Sequence, residues 1–396
     1  MPRLVSFLIF FTIFLSVLGG AHYYVWARLV RDPALPAQLS RVLTWAMVAL
    51  FASIPATFLS GRLLGVRAGG MLAWVPFVWM GMLFLSLVVV AGLDLVRAGW
   101  LLVRAAGDAS PIDPERRLWF SRAFAGAAGL LVSGLGLAAV RSGLSRVLAR
   151  EVRVDLERLP SELDGVTIAQ LTDVHVGPTI QRSFVEQIVE STNALNPDVI
   201  AITGDLVDGS VEELRDHVAP LARLRARYGV YFVTGNHEYY SGVEEWCREL
   251  TRLGIRVLRN ERVTIGVGEA SFDLAGVDDY QARSFGEDHG PNLGRATAGR
   301  DPSRELVLLA HQPRAVFEAQ HHGVGLQLSG HTHGGQLFPW NFMVRLQQPV
   351  VSGLARFGRT LLYVSNGTGY WGPPMRLGAP AEITRLVLRA PAEAVA

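Results

Sequence analysis

The sequence contains no lysine; all 37 basic residues are arginine. Its single cysteine, Cys247, excludes an intramolecular disulfide framework and a cysteine-rich metal site. Charge is scarce as well: 18% of the 396 residues are charged, against roughly 25% in soluble domains, while 50% are hydrophobic. That balance excludes a disordered chain and argues against a purely soluble one. The net charge of +2 averages two unlike parts, since residues 1–150 carry 14 arginines and 5 acids and the remainder 23 and 30. The basic pI is therefore no sign of nucleic-acid binding, and no nucleic-acid partner is expected.

Four apolar stretches, at about residues 4–27, 39–60, 71–96 and 120–140, each approach the roughly 20 residues that cross a bilayer as a helix. The third opens with 23 uncharged residues and has Trp74, Trp79 and Trp100 at or near its ends, where interfacial aromatics belong. The fourth is rich in Gly and Ala, which suits close helix packing in lipid. One such stretch could be a buried core helix; four in succession, with charges confined to the links, predict a transmembrane helical domain over residues 1–145. Arg3 followed by an apolar run and small residues also has the form of a signal peptide. Because the run continues through Tyr24 and Trp26 and further spans follow, a retained helix is predicted. Arginines divide eight against eight between the two sides, so the positive-inside rule sets no orientation. Within the spans, His22 sits beside two tyrosines near an interface. Asp94 stands three residues before Arg97, which predicts a local ion pair rather than chemistry.

From about Gly165 the texture changes to short β-rich runs alternating with amphipathic helical patterns, then mostly strands. This predicts a layered α/β domain over residues 164–390, with sheet covered by helices. Residues 146–163, overlapping the Arg-rich amphipathic stretch Arg141–Leu159, read as the link between the two parts.

Polar residues cluster where the apolar runs end. Asp173-Val174-His175 follows the first, Gly204-Asp205 the second, and Gly235-Asn236-His237-Glu238 the third; His311 and Gly330-His331-Thr332-His333 follow two later ones. In open α/β sheets the carboxyl ends of strands are where sites are built. A glycine precedes the ligand in three cases, consistent with a sharp turn. Imidazole, carboxylate and amide without thiolate suit Mn, Fe, Zn, Co or Ni better than Mg or Ca. Seven or eight such groups exceed the needs of one ion, so two divalent ions are implied. A bridging Asp would hold the ions roughly 3.5–4 Å apart, the spacing that clamps a phosphoryl displacement. Two divalent ions outweigh two carboxylates and a bridging hydroxide, leaving a mildly cationic pocket suited to a phosphate ester.

The order D-x-H, G-D, G-N-H-E, H, G-H-x-H over about 165 residues resembles the calcineurin-like metallophosphoesterase family. The tail GHTHGGQ followed by LYVSNGTGYWGPPMRLGAPAEITRLVLR is similar to its exported or membrane-attached bacterial branch, some of whose members carry N-terminal transmembrane helices. The resemblance implies a four-layer α/β/β/α sandwich of two sheets flanked by helices. It implies that Asp173, His175, Asp205 and His333 bind one metal and that Asp205, Asn236, His311 and His331 bind the other, with Mn, Fe or Zn the expected ions. His237 would bind no metal; it would sit over the phosphate to stabilise the transition state or protonate the leaving oxygen. Attack by a metal-bridging hydroxide, with no covalent phospho-enzyme, is implied.

His217, His289, His321 and His322 read as caps or solvated loop residues, Arg182 as a helix-start arginine that could also reach a phosphate, and Cys247 as buried and inert. Tyr239, Tyr240 and the segment Phe338–Phe357 lie next to ligand blocks and could line a pocket; substrate-binding residues are otherwise unassigned. The expectation is thus an integral protein of a bacterial inner or plasma membrane. It would be a metal-dependent phosphohydrolase, acting on a phosphoester that the membrane setting suggests is lipid-linked or an envelope phosphate. Alternatives are a nucleotide-sugar lipid pyrophosphate hydrolase and a non-catalytic sensor or transporter of a phosphorylated ligand; the weak polarity of the spans argues against a transport path.

Overall fold

A computed structural model describes residues 3–107 and 113–391. The chain divides into two compact units, residues 1–141 with 372–375 and residues 142–371 with 376–396.

The first unit is helical: α1 (Arg3–Trp26), α2 (Ala37–Gly107) and α3 (Pro114–Gly143). Four segments, Leu8–Arg31, Ala37–Thr57, Leu72–Ala106 and Pro114–Gly143, are long and apolar enough to cross a membrane. The expected second and third spans both fall within α2. Phe51 and Trp79 both contact the His22 ring, at 5.3 and 5.8 Å between centroids, so both spans lie beside α1. His22 is a satisfied structural histidine: Trp79 Nε1 donates to its Nε2 at 2.9 Å, and its Nδ1 faces the Leu18 carbonyl at 2.8 Å. The expected Asp94–Arg97 pair is replaced. Asp94 Oδ2 accepts from Arg28 Nε at 2.9 Å and from the Tyr24 hydroxyl at 2.6 Å, partners offered by the end of α1 and the turn Ala27–Arg31 that follows it.

The second unit is built on twelve strands among the described residues: β1 (Leu148–Asp155), β2 (Thr167–Leu171), β3 (Val199–Ile202), β4 (Val230–Phe232), β5 (Arg256–Val257), β6 (Glu261–Val267), β7 (Ala270–Gly276), β8 (Leu306–Leu309), β9 (Leu326–Ser329), β10 (Gly353–Phe357), β11 (Thr360–Val364) and β12 (Glu382–Arg389). They form two six-stranded sheets, ordered β1-β12-β2-β3-β4-β5 and β10-β11-β9-β8-β7-β6. In the first, β2 to β5 are parallel; in the second, β7, β8, β9 and β11 are. Strands β2, β3, β8 and β9 are buried along their whole length, which is why they read as continuous apolar runs rather than alternating ones.

One core lies between the sheets. Ile168, Val199, Ala201 and Leu386 from the first sheet meet Leu274, Val307, Leu328 and Tyr363 from the second. On the second sheet's other face, Ala275, Leu306 and Leu308 pack against Leu293, Ala296 and Ala319 of short helical turns. The parallel crossovers of the first sheet carry α4 (Arg182–Ala194), α5 (Val211–Val218), α6 (Asn236–Ser241) and α7 (Val243–Arg252). In α4 the buried Val185, Ile188, Val189 and Thr192 fall at i, i+3, i+4 and i+7, the stripe that seats a helix on a sheet. The architecture is an α/β/β/α sandwich preceded by apolar helices.

The segment read as a link contains β1, which pairs in parallel with β12 along its full length. Its alternation, with Val152 and Val154 inward and Arg and Glu outward, is the period-2 pattern of an edge strand; the arginines mask it as an amphipathic linker.

Candidate metal centre

The strands bearing ligand blocks are β2, β3 and β4 in one sheet and β8 and β9 in the other, and their carboxyl-terminal loops converge. The loops after β2 and β3 run side by side. His175 N donates to Asp205 O (3.1 Å), Val176 N to Leu206 O (2.9 Å) and Asp208 N to Val176 O (2.8 Å), and Val176 and Val207 form a bridge. This ladder extension holds two blocks, thirty residues apart in sequence, in contact.

Three clusters of donor atoms result, each with all its atoms within 4.8 Å of one another: Asp173, His175 and His333; Asp205, His311 and His331; and His175, Asp208 and His237. In the first, His175 Nε2 lies 3.1 Å from His333 Nε2, and His333 Nε2 lies 3.5 Å from Asp173 Oδ1. In the second, His311 Nε2 lies 3.0 Å from Asp205 Oδ2 and 3.1 Å from His331 Nδ1. Asp205 stands between them. Its Oδ1 accepts from the His237 amide at 2.9 Å, which turns Oδ2 toward Nε2 of both His175 and His237 at 3.9 Å. Asn236, the first residue of α6, is buried beside it, and its Oδ1 has no hydrogen-bond partner.

These donors fit a cation. His311 Nδ1 faces the Thr203 carbonyl at 2.8 Å and so donates its proton there, leaving a lone pair on Nε2 aimed at a carboxylate oxygen. Two lone pairs facing one another need a positive charge between them. Burial would lower the His311 ring, yet Asp205 drives its proton affinity well above the ordinary value, the same electrostatic demand that a divalent ion meets. By contrast burial and the neighbouring His311 push His331 down to about 3, which keeps its ring neutral and available as a ligand. The orphaned Asn236 oxygen is a further unfilled acceptor pointing to the same need.

Local backbone geometry is unusual. Asp173, His175, Asp205, His331 and His333 all have φ between 50 and 70°. Asp and His tolerate this region better than most residues, but each such conformation still costs about 1–3 kcal/mol and persists where surroundings over-determine it. The glycines before the ligands serve mainly as space. Gly204 has φ of 89°, and a Cβ there would lie 2.6 Å from Gly235 N. Gly235 has an ordinary extended φ of −99°, but a Cβ would strike the Asp205 carboxylate; at Gly330 it would strike Asp173 and Thr172. A sharp turn therefore explains one of the three glycines and close packing explains all of them.

His237 takes a different position from the other histidines. Its Nδ1 lies 2.5 Å from Asp208 Oδ1, and its ring is flanked by the exposed rings of Tyr240 and Trp371, with centroids at 5.4 and 5.6 Å. Burial alone would lower this ring, but Asp205 and the hydrogen bond to Asp208 carry it up to about 9. Asp208 also faces His175 Nδ1 at 3.1 Å through both oxygens; despite burial, His175 and His237 hold its carboxyl far below the usual range.

Asp208 and two further residues carry no role in the sequence reading. Glu238 closes the G-N-H-E block: its carboxylate accepts from the amides of Gly235 (2.6 Å), Asp205 (3.1 Å) and Leu206 (2.8 Å), pinning the β3 and β4 loops together. Burial and the nearby Asp205 push it up to about 7. Arg376, wholly buried, donates to the carbonyls of Asn366 (2.9 Å), Gly369 (2.9 Å from Nε), Ala379 (2.7 Å) and His333 (3.3 Å), and so braces the loop bearing His333. An acid three residues after a strand-end Asp was the available signal for Asp208; nothing in the sequence marks Arg376. Arg182 lies outside the cluster, paired with Glu186 at 3.0 Å, and His217 accepts from the Arg182 amide.

Residues 166–335 match the profile of the calcineurin-like phosphoesterase family. The chain is 36% identical over 395 residues to a transmembrane protein with metallophosphoesterase domain from Bos taurus, covering 95% of this chain and 87% of that one. It is 31% identical over 389 residues to an uncharacterized metallophosphoesterase of Campylobacter jejuni, covering 97% and 99%. A third relative, an uncharacterized metallophosphoesterase of Helicobacter pylori, is 42% identical over 248 residues, or 62% of this chain and 65% of that one.

Proposed function

The chain belongs to the calcineurin-like metallophosphoesterase family and is a phosphoester hydrolase with apolar, membrane-spanning helices, and on that footing we propose a dinuclear phosphohydrolase acting on phosphate esters held at a membrane. The observation that carries the reading is the convergence of two donor clusters on Asp205 Oδ2, one through His175 Nε2 at 3.9 Å and the other through His311 Nε2 at 3.0 Å. Asp173, His175 and His333 would hold one ion; Asn236, His311 and His331 the other; Asp205 both. A donor set of imidazole, carboxylate and amide favours Mn, Fe or Zn. Bound there, two divalent ions would draw the nucleophile from water at neutral pH and act as Lewis acids toward the phosphoryl oxygens.

The chain's own groups supply the rest. His237, hydrogen-bonded through Nδ1 to Asp208, would donate a hydrogen bond to a phosphoryl oxygen or a proton to the departing one, and its loss would slow the reaction sharply. Asp208 holds that ring's tautomer and angle. Glu238 and Arg376 fix the loops from behind. Tyr240 and Trp371 wall the opening beside His237 and would shield the developing charge from bulk water.

The substrate reading is a lipid-linked or envelope phosphoester, and the setting a bacterial plasma membrane. The apolar helices and the bacterial relatives support both. The test is a panel of p-nitrophenyl phosphate mono- and diesters beside phosphate-bearing lipids, with Mn²⁺, Fe²⁺ or Zn²⁺ added to purified full-length protein. Turnover that is fastest on a lipid phosphate supports the reading; preference for soluble esters overturns its substrate half, and inactivity with every metal overturns the whole.

A further inference from the structure

Directly after the His333 block, the segment Leu337–Gln347 exposes an uncommon amount of apolar surface. Phe338, Trp340, Phe342 and Met343 are each about half exposed, and Leu346 is 77% exposed. Soluble surfaces rarely gather such residues, and contiguous patches of this kind mark an interaction. The patch adjoins the metal centre. Gln336 bonds both backbone groups of Trp371, at 3.0 Å each way, and the Trp371 ring lies against His237.

Charge identifies the partner. Between Glu318 and Glu382 the sequence has 63 residues without a single acid; of its four arginines Arg376 is buried and Arg359 pairs with Glu157 at 2.9 Å, while Arg345 lies over the Phe342 ring at 5.8 Å, within the exposed segment. Exposed Phe, Met and Leu beside Arg345, in a stretch of chain that carries no acid of its own, is the chemistry of the headgroup region of an anionic bilayer. A protein partner of ordinary surface charge would gain nothing from so complete an absence of acids.

We propose that Leu337–Gln347 is an interfacial docking loop, which immerses Phe342, Met343 and Leu346 in the headgroup layer of an anionic bilayer and so presents the rim of the metal centre to membrane-borne phosphate. Immersion by about 5–10 Å is typical of such elements. The docking stands on exposure and charge alone; only its catalytic consequence rests on the phosphohydrolase reading.

The test uses full-length protein in vesicles containing phosphatidylglycerol. With Cys247→Ser as background, Leu346→Cys carries a nitroxide, and Val267→Cys serves as control. Val267 is 84% exposed in the β6–β7 turn, at the sheet edge opposite the ligand loops. The expected result is a label at 346 that oxygen reaches readily and a water-soluble nickel chelate does not, with the reverse at 267. A label at 346 open to the chelate, or closed to both probes as in a protein interface, overturns the proposal. In the kinetic arm, Phe342→Glu with Leu346→Glu is expected to lower the ratio of kcat/KM on a vesicle-borne phosphate ester to that on a soluble one at least tenfold; an unchanged ratio overturns the docking's catalytic consequence. Immersion without turnover would refute the hydrolase reading and leave the docking intact.

Discussion

Asp208 Oδ1 lies 2.5 Å from Nδ1 of His237, and the same oxygen lies 3.1 Å from Nδ1 of His175. One carboxylate thus sets the tautomer of a metal-ligand candidate and of the ring that faces the opening. Asp208→Asn is expected to keep the fold but lower kcat about 10–100-fold, the usual cost of losing a group that orients ligands. Steady-state kinetics on a p-nitrophenyl diester, with circular dichroism as the fold check, measure this.

His237→Ala separates chemistry from metal binding. Both ions should remain, by elemental analysis, while kcat falls by about 10²–10⁴, the range for a lost general acid or oxyanion donor. Loss of metal in this variant would contradict the role assigned to His237.

Asp205→Asn removes the charge on which both clusters converge. The metal pair and the activity should both go, while the far-ultraviolet dichroism stays that of the wild type, because Asp205 belongs to a loop and not to the sandwich core.

Gly235→Ala tests the packing explanation of the glycines. The added Cβ would collide with the Asp205 carboxylate, a strain of about 1–3 kcal/mol placed on the residue proposed to bridge the two ions, so metal content should drop. Gly294→Ala, where the nearest atom to a Cβ is 3.5 Å away, is the control and should bind metal normally.

Cys247 makes a prediction away from the centre. Burial pushes its thiol up to about 12. At pH 8 the folded protein should react with a thiol reagent on the order of 10³-fold more slowly than the unfolded chain. Because the folded state favours the neutral thiol, its contribution to stability is present below the ordinary value of 9.0 and is lost as pH rises from there toward 12.

The ligand blocks could be read from the sequence because each apolar run ends in a polar residue, a pattern that depends only on local order. The sandwich was legible for the same reason: parallel strands buried on both faces read as unbroken apolar runs. What escaped depends on tertiary pairing. Asp208 acquires its two histidine partners only because the β2 and β3 loops extend their ladder through Val176 and Val207. Arg376 is hidden because its partners are carbonyl groups, which every residue has. The Asp94 partner was misread for the same reason, since Arg28 approaches from another helix. Strand β1 was missed because its outward arginines outweigh two inward valines.

Metal stoichiometry of purified full-length protein, measured alongside phosphodiester hydrolysis before and after chelation, tests the dinuclear centre most directly. Two transition-metal ions per chain, turnover lost on chelation and restored by Mn²⁺, Fe²⁺ or Zn²⁺, are the expected results. Full activity with no bound metal, or with one ion per chain, would contradict it.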